Sequence, residues 1–189
     1  MSARKPLVLA LVGSARRRGN CDLLCDAALA GAEKAGARVG KLYLCDFDIR
    51  PCTGCDACQH SVRKMCALND DMARLYPLLR ECDRLVLASP IYFFTMSGYT
   101  KLLMDRFYPF TNPKQPRWKM TRALVCLTYG ADDPFAAGCG NAIGAFNDMF
   151  TYLKVPVAFV HATAWEKGAI RANRAALRKA RACGAALVR

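Results

Sequence analysis

Five short, β-rich apolar runs, each followed by a stretch of helical periodicity, constrain this chain more than any other feature. Leu7–Val12 is continuously apolar and stops at Gly13, the pattern of a strand buried on both faces. Val39–Leu44, Arg84–Ser89 (closed by Pro90), Ala123–Thr128 and Val155–Val160 repeat it. Between them, Asn20 is placed to cap a helix running to about Ala35. Leu23, Leu24, Ala27, Ala28 and Ala32 form its inward stripe, and Gly36 ends it. Asn69 is the expected cap of a helix through Cys82, with Asp70 and Asp71 complementing the dipole in its first turn. Gly98–Phe107, Ala136–Leu153 and Asn173–Leu187 complete the helices, and the proline- and lysine-rich 110–119 stretch reads as an excursion. Strands alternating with helices predict an α/β chain built on a parallel, doubly wound sheet of five strands. At 189 residues it reads as one domain, 1–189, interrupted by a cysteine-rich loop at about 46–68.

Composition narrows the class. The formal net charge of +13 favours anionic partners. Its basic residues fall into separate groups: Arg16-Arg17-Arg18; Lys114, Arg117 and Lys119; and Arg171, Arg174, Arg178 and Arg181 at helical spacing. The last group reads as a solvated helix face. No nucleic-acid motif accompanies the charge, so a nucleic-acid partner is not expected. The apolar run after Met1–Pro6 is too short for a secretory leader, and no stretch approaches the ~20 apolar residues of a membrane span. A cytoplasmic location is therefore expected. There thiols stay reduced, and the odd count of 11 cysteines also argues against a disulfide framework.

In doubly wound sheets, ligands bind beyond the carboxyl ends of the strands. Gly13-Ser14-Ala15-Arg16-Arg17-Arg18-Gly19-Asn20-Cys21 lies between the first strand and the first helix, where backbone N–H groups and the helix dipole make an anion pocket. Ser14, Asn20 and Cys21 can donate hydrogen bonds, and Arg16 can grip a phosphate with two. The segment is neither a G-x-G-x-x-G fingerprint nor a Walker A loop. The bland alternative is a basic turn before a capped helix. After the third strand comes Ser89-Pro90-Ile91-Tyr92-Phe93-Phe94-Thr95-Met96-Ser97-Gly98. Three successive aromatics there suit an apolar wall for a flat ring, or an exposed interface patch. Thr128-Tyr129-Gly130-Ala131, after the fourth strand, is placed to close the ring's other edge.

Cys52, Cys55, Cys58 and Cys66 stand in C-x2-C-x2-C-x7-C spacing. The first three repeat the opening of a ferredoxin-type cluster run. Three readings stand together: a [4Fe–4S] cluster, for which Arg63 and Lys64 would help stabilise an anionic site; four reduced structural cysteines; and zinc, which more often uses two separated C-x2-C knuckles. Cys25, Cys45, Cys82, Cys126 and Cys183 fall on strands or apolar helix faces, whereas Cys139, between two glycines, is expected to be exposed. His60 reads as a surface residue, His161 as a satisfied strand end, and Asp132-Asp133 as a solvated turn.

The motifs Gly-Ser-x-Arg-x-x-Gly-Asn at 13–20, Pro-Cys-x-Gly-Cys-x-x-Cys at 51–58, Asp-Asp-Met at 70–72 and Ser-Pro-Ile-Tyr at 89–92, leading to Lys101 and Asp105-Arg106, resemble those of a known family. This is the NAD(P)H-dependent FMN reductases of the flavodoxin-like superfamily, and within it the iron–sulfur flavoproteins. The resemblance implies a flavodoxin-like three-layer sandwich. Ser14, Arg16, Arg18, Asn20 and Cys21 would hold the FMN phosphate; relatives usually carry serine or threonine at position 21. Pro90, Ile91, Tyr92, Phe93, Phe94 and Thr95 would line the ribityl chain and ring, with Tyr129 and Gly130 completing the pocket. It implies FMN, NAD(P)H as co-substrate and a candidate [4Fe–4S] cluster on Cys52, Cys55, Cys58 and Cys66. The expected partners are a small-molecule electron acceptor or a ferredoxin-like protein, and a second copy in a homodimer or homotetramer. A non-catalytic flavin electron carrier and a flavin-free metal-binding module are the competing classes.

Overall fold

A computed structural model describes residues 4–62, 65–115 and 118–189. In chain order the elements are β1 (Leu7–Val12), α1 (Asn20–Lys34), β2 (Arg38–Tyr43), α2 (Ala57–His60), α3 (Met72–Glu81), β3 (Arg84–Tyr92) and β4 (Thr95–Met96). There follow α4 (Gly98–Asp105), β5 (Arg122–Tyr129), α5 (Cys139–Tyr152), β6 (Val157–Thr163) and α6 (Arg174–Ala186). The parallel sheet has the order β2-β1-β3-β5-β6, and β4 hangs from β3 as an antiparallel hairpin arm. Without that arm the order is that of a flavodoxin-like doubly wound sheet.

Strand alternation sorts side chains onto two faces. Leu9, Leu11, Leu85, Leu87 and Leu127 pack with Met72, Leu75, Leu79, Leu103, Phe107, Phe146 and Phe150, from α3 through α5. Val8, Ala10, Ala88, Cys126 and Ala162 meet α1 and α6 on the other side. The smaller residues there let α1 and α6 approach closely. A Cβ on Gly184 would sit 1.9 Å from Ala28 O, and one on Gly31 would sit 2.0 Å from Arg181 O.

The strands occupy the expected regions, with informative shifts at their ends. β3 runs through Pro90 to Tyr92, although proline was expected to close it. The Ala88 carbonyl accepts from Gly13 N, so the same strand edge at Pro90, two residues on, lies beyond the end of β1 and needs no N–H. α3 begins at Met72 rather than at an Asn69 cap, because the Asp70 carboxylate takes the Met72 N–H at 3.1 Å. α5 starts at Cys139 after Gly138 in the left-handed conformation, three residues later than the periodicity suggests. Cys139 is consequently buried, not exposed, and burial pushes its thiol up to about 11. Cys45 sits half-exposed in a short turn after β2, not on a strand. Asn173 caps α6 by accepting from Ala176 N at 3.0 Å, and Arg171, Arg174, Arg178 and Arg181 are exposed as a solvated basic face. The 110–119 excursion folds back, with Phe110 stacked on Trp118 at 4.6 Å; Arg117 lies outside the described residues. No helix among the described residues is long and apolar enough to cross a membrane.

The α1–α6 seam admits no added methyl without moving backbone. Gly184→Ala is expected to lower stability by about 1–3 kcal/mol, the range for overpacking, measured as a reduced midpoint in urea denaturation with an unchanged slope.

Candidate functional site

The segment after β1 is shaped by one buried carboxylate. Asp22, in the first turn of α1 and 2% exposed, accepts from Arg18 N at 2.6 Å, Lys41 Nζ at 2.7 Å and Tyr43 OH at 2.9 Å. Burial by itself raises its pKa. The hydrogen bonds from Lys41, the Arg18 N–H and Tyr43 outweigh that and hold the carboxyl below its ordinary range. The same tie keeps Arg18 at a φ of 56°. Arg17 is drawn aside, its guanidinium 4.1 Å from the Tyr43 ring centroid and 2.7 Å from Asp46. Only Arg16 of the three arginines borders the cleft at the end of the sheet.

Asn20 does not cap α1: the cap residue is Gly19, which has no side chain to offer. The Asn20 side chain donates from Nδ2 to Glu166 O at 2.8 Å and accepts at Oδ1 from Ile170 N at 3.2 Å. It pins the connection after β6 to the start of α1. The first-turn N–H groups of α1 thus begin without a side-chain cap, the arrangement that favours an anion. Ser14 is buried, and its Oγ accepts from Arg16 N at 3.2 Å. Cys21 meets Thr128 Oγ1 at 3.0 Å, and burial pushes its thiol up to about 12, so it stays protonated.

These groups face a cleft of about 150 Å³. Pro90, Ile91 and Tyr92 form one wall, and Tyr129 and Gly130 form another. Trp165 and Lys167, from the connection after β6, also line it. The sequence reading missed both, although the rule that ligands gather at strand carboxyl ends applies equally to β6. Tyr129 OH lies 3.3 Å from His161 Nδ1, which gives that histidine its partner, although β6 continues past it to Thr163.

Phe93, Phe94 and Thr95 lie outside this cleft. Tyr92 pairs with Thr95 across a two-residue turn whose residues, Phe93 and Phe94, have φ of 47° and 68°. Positive φ at both positions suits a hairpin turn but is uncommon for bulky residues. The tip is held from below: Asn141 Nδ2 donates to Phe94 O at 3.2 Å, and a Cβ on Gly138 would lie 2.4 Å from that oxygen. Phe93 is 96% exposed and Phe94 55%.

The cysteine segment is rooted at the C-terminal end of α4, where Arg106 bonds Arg50 O and Asp70. Cys52 and Cys55 are exposed, and Cys58 and Cys66 are half-buried. Burial raises the Cys58 thiol, with Cys66 and Cys52 adding smaller repulsions, whereas the Ala57 N–H and the Thr53 hydroxyl lower the exposed Cys55. Asn112 Nδ2 donates to Cys58 O at 2.8 Å and Gln59 Nε2 to Tyr108 O at 2.9 Å, so the excursion before β5 braces α2. Among the described residues, no three His, Cys, Asp or Glu side chains are gathered as a metal site. His60 is exposed, and Arg63 and Lys64 lie outside the described residues.

Residues 6–189 match the family model described as NADPH-dependent FMN reductase. The chain belongs to that family. It is 35% identical over 115 residues to an iron–sulfur flavoprotein of Archaeoglobus fulgidus, covering 61% of this chain and 51% of that protein. An iron–sulfur flavoprotein of Methanocaldococcus jannaschii is 33% identical over 118 residues, covering 62% of this chain and 60% of the relative. The chain thus spans about half to three fifths of the length of these curated relatives. An NAD(P)H:quinone oxidoreductase from Methanothermobacter marburgensis shares the fold, with a TM-score of 0.75 at 18% identity over 97% of this chain and 98% of that one.

Asp22 is a depressed carboxyl, so its contribution is present above the unfolded-state pKa and is lost as pH falls through the folded value. Asp22→Asn is expected to destabilise the protein by about 1–3 kcal/mol at pH 7, as for a lost charged hydrogen-bond partner. The deficit should shrink below pH 4, measured by thermal denaturation across pH.

Proposed function

We propose that this protein is an FMN-dependent oxidoreductase that uses NAD(P)H. The observation that carries this reading is the α1 N-terminus, free of a side-chain cap and opening with Arg16 onto an aromatic-walled cleft between the loops after β1 and β3. The residues fit the cofactor's parts. Arg16, Ser14 and the first-turn N–H groups of α1 suit a phosphate, with Lys167 as a second cation. Pro90, Ile91 and Tyr92 suit the ribityl chain, and Tyr129, Gly130 and Trp165 suit a flat ring. Asn20 acts here through its backbone, since its side chain is engaged elsewhere. A cleft of about 150 Å³ encloses less than a typical small-molecule site. The ring would therefore extend toward the exposed Phe93-Phe94 tip, and a second copy in a homodimer or homotetramer would cover that apolar edge.

Bound FMN would accept hydride from NAD(P)H and release electrons singly or in pairs. The chain's own part is to bind, orient and exclude water. Burial keeps Cys21 neutral at the cleft wall while Thr128 orients its thiol, and Tyr129 is fixed through His161. The four free thiols at 52, 55, 58 and 66 have the donor chemistry of a [4Fe–4S] cluster, although this structure does not gather three of them. The names of the archaeal relatives support the cluster reading. A cluster would suit exchange with a ferredoxin-like partner, and its absence would leave a small-molecule acceptor. Eleven unpaired cysteines accord with a reducing, cytoplasmic setting.

Anaerobic purification should yield a yellow protein that releases FMN on denaturation and oxidises NAD(P)H. A colourless protein that cannot rebind FMN would sink the flavin reading, and flavin without NAD(P)H oxidation would favour the electron carrier. Arg16→Ala is expected to weaken FMN binding by about 10- to 100-fold, the loss of a charge-assisted contact, read by flavin fluorescence titration. Unchanged affinity would remove Arg16 from the phosphate site.

A further inference from the structure

The cysteine loop leaves the body at Arg50 and returns at Asn69-Asp70, and one buried pair fastens both roots. Arg106 Nη1 donates to Asp70 Oδ2 at 2.5 Å and to Arg50 O at 2.8 Å, and Nη2 donates to Asp70 Oδ1 at 3.1 Å. Asp70 Oδ2 also accepts from Arg50 N at 3.0 Å, and Arg50 Nη2 donates to Asn69 O at 2.7 Å. Just outside, Asp48 N donates to Asp71 Oδ2 at 2.9 Å. The side chains of Arg106 and Asp70 are 1% and 0% exposed. Tyr76 OH donates to Arg106 O at 3.1 Å, fixing the arginine's backbone from α3.

A buried ion pair of this kind seldom stabilises a fold more than well-packed apolar residues would. What it supplies here is directional. A guanidinium can hold a carboxylate with two bonds and still reach a carbonyl on the other root, which a lysine cannot do with the same geometry. Arg106 Nε is also buried with no partner among the described residues, a donor left facing protein at a cost. Cys66 lines one cavity with Asn69 and Tyr76, the residues that bond Arg50 and Arg106. Arg106 directly follows α4, and at the other end of that helix Ser97 Oγ donates to Gly13 O at 2.6 Å. One short helix therefore joins the segment after β1 to the root of the cysteine loop.

We propose that Arg106 is a positioning residue for the cysteine quartet, clasping Arg50 and Asp70 so that the two roots of the loop stay together and Cys66 can be brought to Cys52, Cys55 or Cys58. This rests on the quartet acting as a unit, and not on the identity of the group it holds. Cys66 borders a cavity of about 560 Å³, so small reagents can reach it.

The test uses the iron-free, FMN-loaded protein, treated with diamide under anaerobic conditions. Disulfides joining Cys66 to Cys52, Cys55 or Cys58 are timed by mass spectrometry, for wild type, Arg106→Met, Arg106→Lys and Asp70→Asn. Arg106→Met is expected to form them at least ~10-fold more slowly, with FMN affinity within about threefold of wild type. Arg106→Lys should recover part of the rate. Wild-type rates in Arg106→Met would overturn the proposal. If that variant fails to fold, Asp70→Asn and Arg106→Lys decide by the same rule, and wild-type rates in both overturn it. Iron and sulfide are assayed in parallel after reconstitution. Slowed cross-linking with no iron taken up even by wild type would refute the cluster reading and leave the clasp standing.

Discussion

Strand β1 pairs with β2 on one side and β3 on the other, and the chain leaves β1 and β3 toward opposite faces of the sheet. The connection after β1 enters α1, whereas the connection after β3 turns through the β4 hairpin into α4. A crevice must open where the two exits part, because neither connection can fill the space above the strand ends. Every group assigned to the cleft depends on that divergence. The side with the uncapped helix N-terminus comes from the helix packed on the small-residue face, and the aromatic side comes from the exit toward the large-residue face. Fold and site are thus linked through strand order.

Within that frame, charge is handled by burial of single acceptors. Asp22 and Asp70 stand at comparable places, each at the edge of a segment that carries chemistry, and each gathers backbone N–H groups as well as cations. A carboxylate accepts several bonds at once without donating any, so it can organise a loop whose own backbone has no regular partner. In a chain with a net charge of +13, such acceptors also keep neighbouring cations from crowding the cleft. At the surface, Arg17 is likewise drawn away, stacked on Tyr43 and bound to the exposed Asp46.

Much of this was legible in the order of residues. The five strands, the helices between them and the break at Gly13 follow from local periodicity, which is where single-sequence reasoning is strongest. Arg16, Tyr92 and Tyr129, which line the cleft, were singled out because they sit at or just beyond strand ends. Side-chain partners far along the chain were not legible. Asn20 has the look of a helix cap, yet its amide is taken by Glu166 and Ile170. Asn69 has the same look and is passed over because the Asp70 carboxylate, held by Arg106, takes the Met72 N–H. The Phe93-Phe94 turn was hidden for a different reason: nothing in two phenylalanines signals positive φ, and the geometry is imposed by the pairing of Tyr92 with Thr95. Trp165 and Lys167 escaped notice because their stretch carries no motif, only a position after β6.

The close seam between α1 and α6 has a consequence for how the molecule is made. α1 lies near the beginning of the chain and α6 near its end, and each fills space that the other's backbone leaves open. On a ribosome, the first half of the sheet would emerge with the apolar stripe of α1 still lacking its partner. The part of the cleft built after β1 and β3 therefore has its sequence complete well before its supporting face can close. Such long-range closure slows folding and leaves greasy surface exposed in nascent chains. Early capture of an anionic ligand by the segment after β1 could not by itself shorten that wait, because the missing partner lies on the far side of the same helix.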